Sequence, residues 1–198
     1  MIAMLKPVPI NPEAYLAWEE TQDLRYEYLA GEVWAMTGST LPHNDIALNL
    51  YSLLRPIVKA KGCRMNLSDV KVQVDATTAY FYPDLVISCD DRDVNAIKWI
   101  QAPTVVVEVL SPSTESRDRG KKFWAYQSMA SLQEYVLIDA RRIAIEVYRR
   151  GEGRLWLYYP YRVGDVFEIE SFGFSCPIEQ VYEDVSLDML EADQHFEG

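Results

Sequence analysis

Tyr82-Pro83-Asp84, then Thr104-Val105-Val106-Val107-Glu108-Val109-Leu110, then the run onward to Lys122 and Tyr126 decide how this chain is read. Leu85 to Ser88 is a short apolar run entered through a proline, and residues 104–110 are β-branched almost throughout. Both predict strands covered on their faces. Each strand carries one carboxylate, which is costly to bury unless a cation or hydrogen bonds hold it. Asp84 opens its strand and Glu108 lies near the end of the next, so antiparallel pairing brings both acids to one end. Alternation puts Asp84, Val86 and Ser88 on one face, and Val106, Glu108 and Leu110 likewise on one face. Two carboxylates so placed repel each other and raise one pKa, unless a divalent cation lies between them.

Beyond Leu110 the cap-rich breaker Ser111-Pro112-Ser113-Thr114 opens a helix expected over residues 115–130. Asp118, Lys122 and Tyr126 follow one another at i, i+4 and share a flank beside the apolar stripe of Phe123, Tyr126 and Ala130. A lysine there either snorkels outward or reaches back over the sheet toward the acids.

Upstream, Asn11-Pro12-Glu13 predicts a capped helix start. Residues 24–29 and 32–36 predict a β-hairpin turned at Ala30-Gly31. Glu27 within it is either a further acid at the mouth of the site or an exposed strand residue. Residues 45–60 predict a long amphipathic helix that Pro56 kinks or ends early. His43 at its start is read as a capping or surface residue, since only two histidines (His43, His195) leave little material for a histidine metal site or triad. Residues 63–67 and 70–74 predict strands, and 90–93 a polar turn. Further strands are expected at 134–139, 143–148, 155–159 and 166–169. The aromatic residues Tyr148, Trp156, Tyr158, Tyr159 and Tyr161 read as sheet packing or a subunit interface before base stacking.

The chain has 198 residues, 49% hydrophobic and 25% charged, which suits one folded domain over residues 1–198. No apolar run approaches the roughly 20 residues of a membrane span. The start is too short an apolar run for a signal peptide. Three separated cysteines with no C-x-x-C pair predict neither a disulfide framework nor a zinc site, and a cytoplasmic location is the default. The net charge of −11 argues against a general nucleic-acid binder, yet seven acids fall after residue 172 with no Lys or Arg. That segment, about 172–198, is expected as an acidic tail with a weak helix at 185–192. The rest carries only −4, with basic groups at Arg117, Arg119, Lys121 and Lys122 and again at Arg141, Arg142, Arg149 and Arg150. Charge runs of this kind are more often solvated faces than binding patches.

Two carboxylates supply hard oxygen ligands for Mg²⁺ or Mn²⁺, and a nearby lysine orients or deprotonates the bound water, or stabilises the pentavalent transition state. Together they make the kit for metal-assisted phosphodiester hydrolysis. Pro83-Asp84, Glu108-Val109-Leu110-Ser111, Asp118-x-x-x-Lys122-x-x-x-Tyr126 and Glu134-Tyr135 resemble the Uma-two family of bacterial restriction-endonuclease-like proteins, within the PD-(D/E)XK nuclease superfamily. Tyr26-Glu27, Gly31-Glu32 and His43-Asn44 extend the resemblance backward, and residues 136–148 forward, over most of the chain.

The resemblance implies an α/β fold, with a restriction-endonuclease-like core and a mixed central β-sheet flanked by helices. The reading above adds antiparallel strands to it. It also implies that Asp84 and Glu108 bind the metal, with Glu27 as an additional acid. The pattern departs at Leu110, where E-x-K calls for lysine. Within the family that lysine is thought to have moved to the following helix, which points to Lys122, with Lys121 a less well-placed neighbour. The catalytic set expected is Asp84, Glu108 and Lys122, with Glu27, Lys121, Tyr126 and Asp118 as further candidates.

The function so implied is a Mg²⁺- or Mn²⁺-dependent endonuclease on nucleic acid, DNA in particular, working as a homodimer or higher homo-oligomer without a membrane. The alternative is a catalytically silent protein of the same fold that binds or assembles. A glycosidase acid–base pair leaves the lysine unexplained. A purely structural Glu108–Lys122 ion pair would be a poor stabiliser when buried.

Overall fold

Residues 10–36 and 38–187 are described by a computed structural model of the chain. Helix α1 (Pro12–Glu19) begins where expected: Asn11 accepts from the Ala14 N–H at 2.8 Å, and Pro12 fills a position whose N–H would lack a partner. Strands β1 (Tyr26–Leu29) and β2 (Glu32–Ala35) form the expected hairpin. Ala30 and Gly31 both take positive φ (47° and 97°), the two-residue turn whose twist matches the strands. Helix α2 (Leu41–Ala60) starts earlier than expected because Thr40 caps it. Pro56 does not end it. Ile46, Leu50, Leu54 and Val58 are buried along one face, and that burial outweighs the single backbone bond the proline removes.

There follow β3 (Arg64–Leu67), β4 (Lys71–Val74), β5 (Ala79–Phe81) and β6 (Leu85–Ser88). The polar turn expected at 90–93 is instead a short helix, α3 (Asp91–Val94), capped by Asp90. Its Asp93 is buried and accepts from the backbone of Gln101 and Ala102. Strands β7 (Trp99–Ile100) and β8 (Val105–Leu110) come next. The helix after β8 is in three parts: α4 (Glu115–Arg117), a π turn (Asp118–Lys122) and α5 (Phe123–Gln127). Strands β9 (Glu134–Asp139), β10 (Ala144–Arg150), β11 (Trp156–Arg162), β12 (Val166–Ile169) and β13 (Phe174–Pro177) complete the fold.

Three sheets result: β11-β10-β9-β8-β6-β3, β2-β1-β5-β4-β7, and the pair β12-β13. The six-stranded sheet is mixed, since β8 and β9 run parallel around the α4–α5 crossover while its other pairs are antiparallel. Alternation along β6 and β8 divides the core. Leu85, Ile87, Val105, Val107 and Val109 pack with α2 on one side. Val86, Val106 and Leu110 face the other, against Phe81 and Val72 of the second sheet and Ala125 and Tyr126 of α5. Glu108 shares that second face.

Two expectations fail here. The segment from residue 172 is no tail as far as 187: Phe172, Phe174, Cys176, Ile178 and Val181 are buried against α2's side of the sheet. Asn49 of α2 holds the Val181 and Glu183 carbonyls. Its acids Glu179, Glu183 and Asp184 stay on the outside, and counting them hid the apolar alternation beneath. Val185–Leu187 are not helical, and the rest of the expected 185–192 helix lies outside the described residues, as does His195. Second, Cys63 and Cys89 form a disulfide, with Cα atoms 4.3 Å apart. Each lies one residue beyond the Arg64–Ser88 rung of the β3–β6 ladder, a juxtaposition that depends on register and not on spacing. Cys176 is buried and free. Among the described residues no helix is long and apolar enough to cross a membrane.

Candidate active site

The register Leu85↔Val107 makes Asp84 and Glu108 face each other at one end of the β6–β8 pair. Asp84 is fixed there by two contacts. Its Oδ2 accepts from the Val109 N–H at 2.7 Å and lies 3.3 Å from His43 Nε2. Glu108 is buried within the interface between the two sheets and α5.

The π turn delivers Lys122 to that interface. Its amine is 2.8 Å from Glu108 Oε1, 2.8 Å from Glu27 Oε1 and 3.2 Å from Asp118 Oδ1. Of the two courses open to this lysine, the structure takes the inward one. Glu27 proves to be a cluster member and not an exposed strand residue: it is buried on β1 and accepts from the Tyr82 N–H at 3.2 Å. Asp118 is buried one π turn before Lys122, with its carbonyl accepting from Tyr135 Oη at 2.9 Å. Tyr126 is buried alongside, its ring against Phe81 and Tyr135. Lys121 is not brought in. It pairs with Glu32 on the surface at 2.6 Å, because the neighbouring residue on a helix points elsewhere. Leu110, where the superfamily pattern calls for lysine, is core.

His43 is the residue that reading the sequence misplaced. It stands in the first turn of α2 as a cap residue would, but its imidazole turns to Asp84. Its place in the family resemblance was the available signal. The second basic group is not a patch either. Arg141 and Arg142 hold Asp139, Arg149 is buried on Glu134, and Arg150 donates to three backbone carbonyls.

Four carboxylates and one lysine leave the cluster with surplus negative charge. Burial pushes the Glu108 carboxyl well above its ordinary value, and Asp118, Asp84 and Glu27 push the same way against Lys122. Burial raises Asp118 as well. Burial pulls the Lys122 amine down, but Glu108, Glu27 and Asp118 together carry it well above the ordinary lysine value. Burial also lowers the His43 imidazole, and Asp84 more than reverses this. These directions favour an ammonium at Lys122 and push Glu108 toward its protonated form.

Two buried oxygens here, Glu108 Oε1 and Tyr126 Oη, have no hydrogen-bond partner, Lys122 being close to Glu108 but not in bonding orientation. Orphaned buried oxygens in a negatively charged cluster fit a cation or water as the missing neighbour. Among the described residues no group of three or more His, Cys, Asp or Glu side chains is arranged to hold a metal ion, the three acids around Lys122 being occupied by its ammonium. A resident metal would thus take Asp84 and Glu108 and complete its shell with water and substrate, which suits Mg²⁺.

The comparisons with known proteins bear on the family and the fold. The family model described as "Uma2: Putative restriction endonuclease" matches residues 12–179. An uncharacterized protein of Synechocystis sp. is 37% identical over 177 residues, covering 89% of this chain and 93% of that one. A second from the same organism is 30% identical over 158 residues, covering 79% and 89%. Among solved structures, one titled "a putative nuclease belonging to DUF820" from Anabaena variabilis superposes with a TM-score of 0.73. It is 18% identical and covers 88% of this chain and 98% of that one, so the likeness is one of fold. The α/β fold with a mixed sheet flanked by helices is the one expected, and the chain belongs to the Uma2 family of restriction-endonuclease-like proteins.

Proposed function

We propose that this protein is a metal-dependent endonuclease that hydrolyses phosphodiester bonds of DNA. The observation that carries the reading is the position of the Lys122 amine, 2.8 Å from Glu108, because it answers the absence of a lysine at Leu110. Asp84 and Glu108 are the residues to hold Mg²⁺ or Mn²⁺, which when bound supplies Lewis acidity to the phosphate and a water of lowered pKa. Asp84 is oriented for this by the Val109 N–H and His43. Lys122, held as an ammonium by Glu108, Glu27 and Asp118, is placed to stabilise charge on the phosphoryl oxygens. Glu27 and Asp118 hold the ammonium in place. Burial excludes water around these groups and strengthens each interaction.

The reading includes a homodimer or higher homo-oligomer; the cytoplasmic location expected from the separated cysteines loses that ground with the Cys63–Cys89 disulfide. The open edge strand β11, with Leu155, Leu157 and Tyr158 exposed on and beside it, supports self-association.

One observation favours the alternative, a catalytically silent binding or assembly protein: Lys122 already pairs with Glu108, one of the two acids that would take the cation. Supercoiled plasmid incubated at low salt with Mg²⁺ or Mn²⁺ separates the two. Nicking that requires metal and disappears in Glu108→Ala and in Lys122→Ala is expected. Nicking unaltered in Glu108→Ala, or none in the wild-type protein, would sink the nuclease reading.

A further inference from the structure

We propose that Arg117 is the backbone-phosphate clamp of this site and that Trp34 is the platform positioning it. The inference rests on the nuclease reading and adds to it the group that meets the substrate's charge.

Arg117 differs from the other arginines around the cluster. Arg119 makes two bonds to Glu146 and one to Glu115, and Arg141 and Arg142 are tied to Asp139. The acid nearest Arg117 is Glu27, at 3.7 Å, beyond hydrogen-bonding range. What holds Arg117 is a ring: its guanidinium carbon lies 4.9 Å from the Trp34 centroid, a stacking distance that fixes the plane of the fork while leaving its N–H edges free. Trp34 is itself on β2, directly opposite Glu27 in the hairpin register, so one hairpin carries both the platform and a member of the cluster.

Exposure shows where this fork stands. The side chains of Lys122, Glu108 and Glu27 are 4–5% exposed, those of His43 and Asp84 14% and 17%, and that of Arg117 24%. Asp84, His43 and Arg117 are thus the more exposed side chains in contact with the cluster's members. A polyanion approaching a pocket of four carboxylates on a chain of charge −11 is repelled unless an unneutralised cation meets it at the rim. Lys121 is spoken for by Glu32. Among the described basic residues beside the cluster, Arg117 combines partial exposure with its nearest acid beyond hydrogen-bonding range, and its planar fork matches two non-bridging phosphate oxygens. Contacts of this type position the strand and carry no sequence information.

The test uses the full chain, mixed-sequence duplex DNA labelled with fluorescein, and plasmid nicking with Mg²⁺ or Mn²⁺. Arg117→Gln is expected to weaken duplex binding several-fold and to make the slope of log affinity against log salt shallower by about 0.9, the signature of one lost phosphate contact. Arg117→Lys should restore that slope but only part of the affinity. Trp34→Leu should weaken binding in the same direction, with KM rising more than kcat falls. Retained melting temperature and retained metal-induced stabilisation in Arg117→Lys establish that the site is intact. Nicking and salt slope unchanged in Arg117→Gln would overturn the clamp and leave the nuclease reading standing. A wild-type protein that neither binds nor nicks DNA would overturn both.

Discussion

Asp84 and Glu108 face each other across the end of the β6–β8 ladder, one residue beyond the Leu85–Val107 rung. From this follows most of the site's chemistry, because like charges brought together in a buried place have to be offset by a cation, by a proton, or by both.

Replacing Glu108 should separate stability from activity. The carboxyl is pushed well up by burial and by its acidic neighbours, so Glu108→Gln supplies a neutral group of similar shape where a charge was unwelcome. Thermal denaturation should give a melting temperature equal to or above wild type, while metal-dependent nicking is lost. A large drop in melting temperature would contradict the surplus of negative charge inferred here.

Removing Lys122 should do the opposite. Lys122→Met leaves Glu27, Glu108 and Asp118 buried without their shared cation, at a cost of about 3–5 kcal/mol by urea denaturation. Combining it with Glu108→Gln should recover part of that loss, and strict additivity of the two substitutions would show that they do not interact.

Metal should stabilise the folded chain. Mn²⁺ is expected to raise the melting temperature of wild type and not of Asp84→Asn or Glu108→Gln, since binding to the folded state alone shifts the unfolding equilibrium. An equal rise in all three proteins would place the cation elsewhere.

Acid sensitivity should come in part from Glu19, which Tyr82 joins to the cluster: its hydroxyl donates to Glu19 and its backbone N–H to Glu27. Burial pushes this carboxyl up, but the Tyr82 hydroxyl at 2.6 Å and the Lys71 amine at 2.9 Å prevail and hold it below its ordinary value of 4.5. A folded pKa below the unfolded one gives stabilisation that is complete above about pH 4.5 and is lost as pH falls through the folded value. Glu19→Gln should be less stable at neutral pH and flatter in its decline below about pH 4.5. An acid limb as steep as wild type would exclude Glu19 as its source.

Reduction should weaken the fold without touching the acids. The Cys63–Cys89 bond closes a separation of 26 residues, so its loss in Cys63→Ser/Cys89→Ser is expected to lower stability by about 3.5 kcal/mol on chain-entropy grounds. Metal-induced stabilisation should persist in that variant.

Much of this was legible before any coordinates. The alternation of Val106, Glu108 and Leu110 gave the face, the proline before Asp84 gave the strand start, and the i, i+4 spacing of Asp118, Lys122 and Tyr126 gave the flank. What escaped were features set by tertiary placement. His43 looks like a cap residue until α2 is laid against β8, and the cysteines look unrelated until β3 and β6 are in register. Glu27 read equally well as a surface acid, because nothing local says that its hairpin closes over a helix. The C-terminal acids drew the eye from the buried Phe172, Phe174 and Ile178 between them.

The π turn at Asp118–Lys122 has a bearing on which insertions and deletions the chain tolerates. A π turn accommodates one more residue than a regular helical turn, and each residue of an α-helix rotates the chain by about 100°. Deleting Gly120, where an added Cβ would meet nothing within 4 Å, returns the segment to regular winding. Phe123 and Tyr126 are held by the core and keep the later half in place, so the rotation falls on the earlier half and carries Asp118 and Arg117 off the site. In this chain the placement of Lys122 beside Glu108 and Glu27 therefore depends on the length of the segment as much as on its composition.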